Sequence, residues 1–184
     1  MDTNSEMHTH SNFYAMLTAA CQKNGKGTVI FSDKEKISYS SLKNEVETVA
    51  AYLQHEGVQY GDKVALVVSN SPEFIAAYFA ITSIGAVAVP LNVFLKSEEF
   101  SYILNDCDAR FMFASAPLAK ELKNIKAKTK VRKIIWIGET KAASGEDSYF
   151  DAARTFPGKP NLSRQPSVND LAHIIYTSGT DRKS

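Results

Sequence analysis

The stretch from Phe74 to Leu95 runs for 22 residues without one charged side chain, and it constrains the fold more than any other feature. A run of that length is a candidate membrane span. Its interior argues otherwise, because Thr82, Ser83, Gly85, Pro90 and Asn92 interrupt it. The part that can be helical, Pro72 to Ile84, would reach only about 20 Å, against a hydrocarbon core of about 30 Å. A buried helix followed by a buried strand remains. Ser71 at the N-cap, Pro72 at the first helical position and Glu73 in the first turn begin the helix. Gly85 ends it, and Ala86 to Val89 supplies the strand. Upstream, Val64 to Val68 is rich in β-branched residues and has no polar one. The unit therefore reads β-α-β, its parallel strands covered on both faces and its crossover right-handed.

The alternation extends in both directions. Thr28 to Phe31 and Lys36 to Tyr39 flank Ser32-Asp33-Lys34-Glu35 as a short hairpin. A helix follows with Ser40 as its expected N-cap, Leu42, Val46, Val49, Ala50 and Leu53 on one stripe, and Gly57 as the residue that closes it. Downstream, Ser97-Glu98-Glu99 opens a helix to about Asn105, Arg110 to Ala114 makes a strand, Leu118 to Lys128 a basic surface helix, and Lys133 to Ile137 another strand. Lys141 to Asn169, with Gly145, Pro157, Gly158, Pro160 and Pro166, reads as a connecting loop carrying one helix-like piece, Tyr149 to Arg154. Leu171 to Tyr176 repeats the buried-strand pattern. The expected fold class is α/β, a mostly parallel sheet with helices on both faces, built over 13–184 behind a disordered tail, 1–12.

Other classes drop out on composition. With 21 basic and 20 acidic residues the net charge is +1, so the positive field that drives nucleic-acid binding is missing. The N-terminus, MDTNSEMHTHSNF, lacks the basic and apolar regions of a secretory signal. Cys21 and Cys107 form no CxxC and read as thiols in a reducing compartment, so a cytoplasmic location is expected. His8 and His10 sit in a polar tail and are read as solvated. His173, inside an apolar run, is read as a hydrogen-bonded core or edge histidine. Lys120, Lys123, Lys126, Lys128 and Lys130 are read as a solvated face, and Ser69 to Glu73 as a helix start with its caps satisfied internally. No metal ligand set is assigned.

One loop carries chemistry. A strand feeding small hydroxyl and glycine residues lets successive backbone N–H groups converge on an anion, since no bulky Cβ intrudes. Tyr176 to Thr180 fits that description. Several pieces then line up in order: Ile37-Ser38-Tyr39, GVQYGDKV over 57–64, Asn70-Ser71-Pro72-Glu73-Phe74, Gly85 through Asn92 (GAVAVPLN), and LAHIIYTSGT over 171–180. Together they resemble the N-terminal part of an adenylate-forming, AMP-binding enzyme of the acyl-CoA synthetase type. Asn92 favours the CoA-ligase branch over peptide-synthetase adenylation domains, which carry an acidic residue there.

The resemblance implies a fold, the first subdomain of an acyl-CoA synthetase, truncated here. It also implies a reaction, in which a carboxylate, a fatty acid in this reading, attacks the α-phosphorus of ATP and the acyl group then passes to coenzyme A, with Mg2+ as the metal. By the same resemblance Thr177, Ser178, Gly179 and Thr180 hold the β- and γ-phosphates. Family loops continue with Thr-Gly and, further on, Lys-Gly, whereas this chain reads Asp181-Arg182-Lys183-Ser184. Asp181 would repel a polyphosphate, and Lys183 occupies the variable position. Shifted in frame, codons for Thr-Thr-Gly-Lys-Ala spell Asp-Arg-Lys-Ser, so a frameshift with a premature stop is the expected origin of this ending. The family's adenine and acyl pockets, metal carboxylate and catalytic lysine lie downstream, so the chain alone is expected to be inactive and to bind none of these cofactors. Two readings from other classes stand beside this one. The first is a non-catalytic fragment, inert or associating through an exposed sheet edge. The second is a free-standing nucleotide-binding domain, for which no GxGxxG or GxxxxGK[ST] loop is present.

Overall fold

The structure is a computed structural model that describes residues 12–32, 35–138 and 146–177. Its centre is a parallel sheet of β3 (Lys63–Val67), β4 (Val87–Pro90), β5 (Phe111–Ser115), β6 (Lys133–Ile137) and β7 (Asp147–Ser148), in the order β4-β3-β5-β6-β7. Because side chains alternate along a strand, the uniformly apolar runs feed two separate cores. Val64, Leu66, Phe111, Phe113, Ile135 and Ile137 face one layer, formed by α1 (Phe13–Asn24), α2 (Tyr39–His55) and α3 (Pro72–Ser83). Ala65, Val67, Met112, Ala114, Ile134 and Trp136 face the other, with α4 (Ser97–Asp106) and α5 (Ile125–Lys128). The α/β class and the helices on both faces are thus as expected. The hairpin of β1 (Thr28–Phe31) and β2 (Lys36–Ser38) stands apart as its own antiparallel pair.

Three helices in succession end in the same way. After α2, Gly57 N donates to Gln54 O at 3.0 Å and Val58 N to Leu53 O at 2.9 Å. After α3, Gly85 N donates to Thr82 O and Ala86 N to Ile81 O, and after α4, Asp108 N donates to Asn105 O and Ala109 N to Leu104 O. Each pair is a Schellman closure, which needs a left-handed residue between its two bonds. Gly57 and Gly85 take that conformation without strain, at φ 85° and 73°. Asp108 takes it at φ 56°, with its carboxylate held by Lys130 at 2.7 Å and Arg110 at 3.6 Å.

Several expectations need correction. The stretch 141–169 is not only a connecting loop, since Asp147–Ser148 within it is β7, paired with β6. The cap of α2 is Ser38, not Ser40: Ser38 Oγ accepts from Ser41 N at 3.1 Å, so the helix begins at Tyr39. The basic surface helix over 118–128 is instead a 3-10 turn, Ala116–Ala119, followed by turns and the short α5. Only Leu122 and Ile125 are buried there, too few anchors to hold a helix of that length against its nucleation cost. The helix α1 was not read from the sequence; Asn12 caps it, its Oδ1 accepting from Ala15 N at 2.8 Å. Finally, 171–176 is not a buried strand. Among the described residues it makes one parallel bridge, Ala88 to His173, on the outer side of β4, and Leu171 and Ile175 are 57% and 63% exposed. Among the described residues no helix is long and apolar enough to cross a membrane, and the 74–95 run is α3 followed by β4 as read.

Candidate functional site at the strand ends

Parallel strands bring their C-terminal ends to one rim, where open α/β sheets gather ligands. Here the rim carries Ser69 to Ser71 after β3, Leu91 and Asn92 after β4, Ser115 at the end of β5, and Tyr176-Thr177 beyond β4. At the β3/β5 point, where strand order reverses, Ser69 N donates to Ser115 Oγ at 3.2 Å and Ser71 Oγ accepts from Phe74 N at 3.2 Å. These caps are satisfied internally, as the sequence suggested.

On the β4 side the rim opens into a cavity of about 510 Å³ lined by Leu91, Asn92, Leu95, Glu99, Tyr102 and Thr177, among others. Asn92 shapes its entrance, since its Oδ1 accepts from Phe94 N at 3.0 Å and its carbonyl from Leu95 N at 3.2 Å. Glu99 Oε2 accepts from Lys96 N at 2.8 Å and so closes the N-terminal end of α4. Thr177 is exposed at the cavity's edge. Ser178, Gly179 and Thr180, the rest of the sequence-predicted phosphate loop, lie outside the described residues, as do His8 and His10.

The approach to Thr177 is held by side chains. Tyr60 Oη donates to Asp170 Oδ2, and the Arg164 guanidinium lies 3.7 Å from the centre of the Tyr60 ring. Tyr78 Oη meets His173 Nδ1 at 3.0 Å, which makes His173 the hydrogen-bonded edge histidine anticipated. Tyr176 Oη donates to Asp106 Oδ2 at 2.5 Å. Burial, then the bond to Asp106, push the Tyr176 hydroxyl above the usual tyrosine range. Burial likewise pushes the neighbouring Cys107 thiol up, and its side chain packs in the core on the α4 side. Sequence reading missed Tyr60, Tyr78 and Asp106 as parts of this region. The lysine cluster behaves as a solvated face: Lys126 pairs with Glu146 at 3.3 Å, Lys128 with Glu98 at 2.5 Å and Lys130 with Asp108. Among the described residues no three His, Cys, Asp or Glu side chains come together as a metal site.

Known proteins share this fold. The crotonobetaine/carnitine–CoA ligase of Salmonella typhi is 34% identical over 164 residues, covering 84% of this chain and 31% of that protein. Among solved structures, an anthranilate CoA ligase, AuaEII, in complex with anthranoyl-AMP, superposes with a TM-score of 0.85 at 27% identity, over 92% of this chain and 33% of its own. A fatty acyl CoA synthetase of Mycobacterium tuberculosis superposes at 0.78 and 26% identity, over 91% and 32%. The chain spans about a third of the length of these relatives. The family model of AMP-binding enzymes matches residues 7–181, nearly the whole sequence, and the chain belongs to that family.

Proposed function

We propose that this chain is the phosphate-loop portion of an ATP-dependent acid–CoA ligase. In that reaction a carboxylate oxygen attacks the α-phosphorus of ATP, the bond to the β-phosphate breaks and pyrophosphate leaves; the coenzyme A thiol then takes the acyl group and AMP leaves. Such chemistry depends on positioning and on stabilising charge as it develops. The observation that carries the reading is the family match through residue 181 together with a Thr-Ser-Gly-Thr sequence that begins at the exposed C-terminal rim of a parallel sheet. Thr177, Ser178, Gly179 and Thr180 would hold the β- and γ-phosphates through hydroxyls and backbone donors. No described residue is assigned to magnesium. The acid is proposed to be a fatty acid, supported by the fatty acyl CoA synthetase likeness; the carnitine-type relative supports a different acid. A cytoplasmic location fits the two free thiols, Cys21 and Cys107.

The 184 residues alone are proposed to be inactive, so the test is a fusion. Residues 13–177 replace the matching third of the Salmonella typhi ligase, whose own residues continue from the loop. The fusion is expected to release AMP and pyrophosphate with crotonobetaine or carnitine as the acid. A fusion that melts cooperatively yet releases no AMP overturns the reading. The exposed flank of 171–176, with Leu171 and Ile175 outward, supports self-association of the isolated chain. Its elution volume in size-exclusion chromatography should shift to larger species as concentration rises; a monomer at every concentration removes that proposal.

A further inference from the structure

The geometry points to Tyr60, Tyr78 and Asp106 as positioning residues that fix the register of 170–176 on β4 and so set where Thr177 stands at the rim. The functional half of this inference rests on the phosphate-loop reading above.

The backbone alone specifies that register weakly. Between β3 and β4 four residue pairs are in register, from Lys63–Val87 to Leu66–Pro90. Between β4 and the 170–176 segment, among the described residues, only Ala88 N to Ala172 O at 3.0 Å and Ile174 N to Ala88 O at 2.9 Å join the two. A slip by two residues would preserve which side chains face which core. The inward and outward alternation therefore does not forbid it.

The side-chain tethers do. They fall at Asp170, His173 and Tyr176, three residues apart, and reach three different parts of the fold: the turn before β3, the middle of α3 and the C-terminal end of α4. A two-residue slip carries each anchor about 7 Å along the strand and breaks all three at once. The tethers also clamp the segment from both faces of the sheet, since Tyr78 belongs to the α1–α3 layer while Tyr176 packs with the α4 layer. Their partners are themselves fixed. Tyr60 lies against Arg164, and Tyr78 sits among Phe13, Phe74 and Phe79 with ring centroids 5.7 to 6.4 Å away. Asp170 is further held by Ser167 N at 2.7 Å. The last tether is one residue before Thr177, so register at Tyr176 becomes the position of Thr177.

Amide hydrogen exchange on the 184-residue chain tests the register. Tyr60→Phe, Tyr78→Phe and Tyr176→Phe each remove one hydroxyl and keep the ring. Each should lower the protection of the Ala88 and Ile174 amides about five-fold, the effect of one typical net hydrogen bond, and the combined variant should lower it further. Amides of β3 and β5 should be unchanged. Unchanged protection at Ala88 and Ile174, or an equal fall in β3 and β5, overturns the inference. In the fusion described above, the combined variant should raise the KM for ATP about five-fold or more and leave the KM for the acid as it was. Lost protection with an unchanged ATP KM overturns the link to the loop. If the unsubstituted fusion is inactive, the ligase reading falls, and the exchange measurement still decides the register.

Discussion

Phe113→Ala should lower the unfolding free energy by about 3–5 kcal/mol, the range for emptying a fully buried phenylalanine site. Phe113 lies in β5, in register with Leu66 of β3 on one side and Ile135 of β6 on the other, and its exposure is 0%. The Tyr149 ring meets it edge-on, with centroids 6.2 Å apart and planes at 67°. Tyr149 cannot move in to fill the space, because its hydroxyl is bound to Glu45 on α2 at 2.6 Å and Glu45 is in turn paired with Arg154 at 3.5 Å. A site that cannot collapse keeps its cavity, which places the cost toward the upper end. For a chain of this size the melting temperature should drop by roughly 10 °C. Urea unfolding followed by tryptophan fluorescence checks it through Trp136, the single tryptophan. A loss under about 1.5 kcal/mol with an unchanged denaturant slope would mean that this face of the sheet repacks freely.

That site shows what local pattern can and cannot reveal. The apolar runs at 64–68, 86–89, 110–114 and 133–137 announced strands covered on both sides, and each is one, within a residue at either end. Helix starts with a serine before a proline were equally plain, as at Ser71-Pro72. Strand order was not, because every run looks alike and nothing local says that β5 lies beside β3 while β4 takes the other flank. Edge position was hidden for the same reason: 171–176 is as apolar as the interior strands, yet it is half exposed. Asp108 escaped notice because a left-handed closure is advertised by glycine, and here an aspartate does the same task with two cations beside it. Candidate site residues divide along the same line. Thr177 to Thr180 stand out in the sequence as small hydroxyl and glycine residues, and of these only Thr177 is among the described residues. Tyr60, Tyr78 and Asp106 are single polar residues whose partners lie 110, 95 and 70 positions away, so only the folded chain brings the pairs together.

The glycine at 85 ties fold to site, and Gly85→Ala should cost about 3 kcal/mol. Part of that is backbone: at φ 73° a Cβ adds roughly 1–2 kcal/mol. The rest is collision, because an added Cβ would lie 2.2 Å from Cδ2 and Cε2 of Tyr60, an overlap that costs about 1–3 kcal/mol to relieve. Tyr60 is poorly placed to yield, with Arg164 on its face and Asp170 on its hydroxyl. Gly57→Ala separates the two contributions. Gly57 has a similar φ of 85°, but the nearest atom to an added Cβ is Arg132 Nη2 at 3.6 Å, so it should lose only the backbone share. The double variant Tyr60→Ala with Gly85→Ala should then be less destabilised than the sum of its single changes, because with the ring gone the new methyl has nothing to strike. If Gly85→Ala and Gly57→Ala prove equally costly, the ring moves aside without penalty. The close packing of Tyr60 on Gly85 would then contribute nothing to holding Asp170, and with it the approach to Thr177, in place.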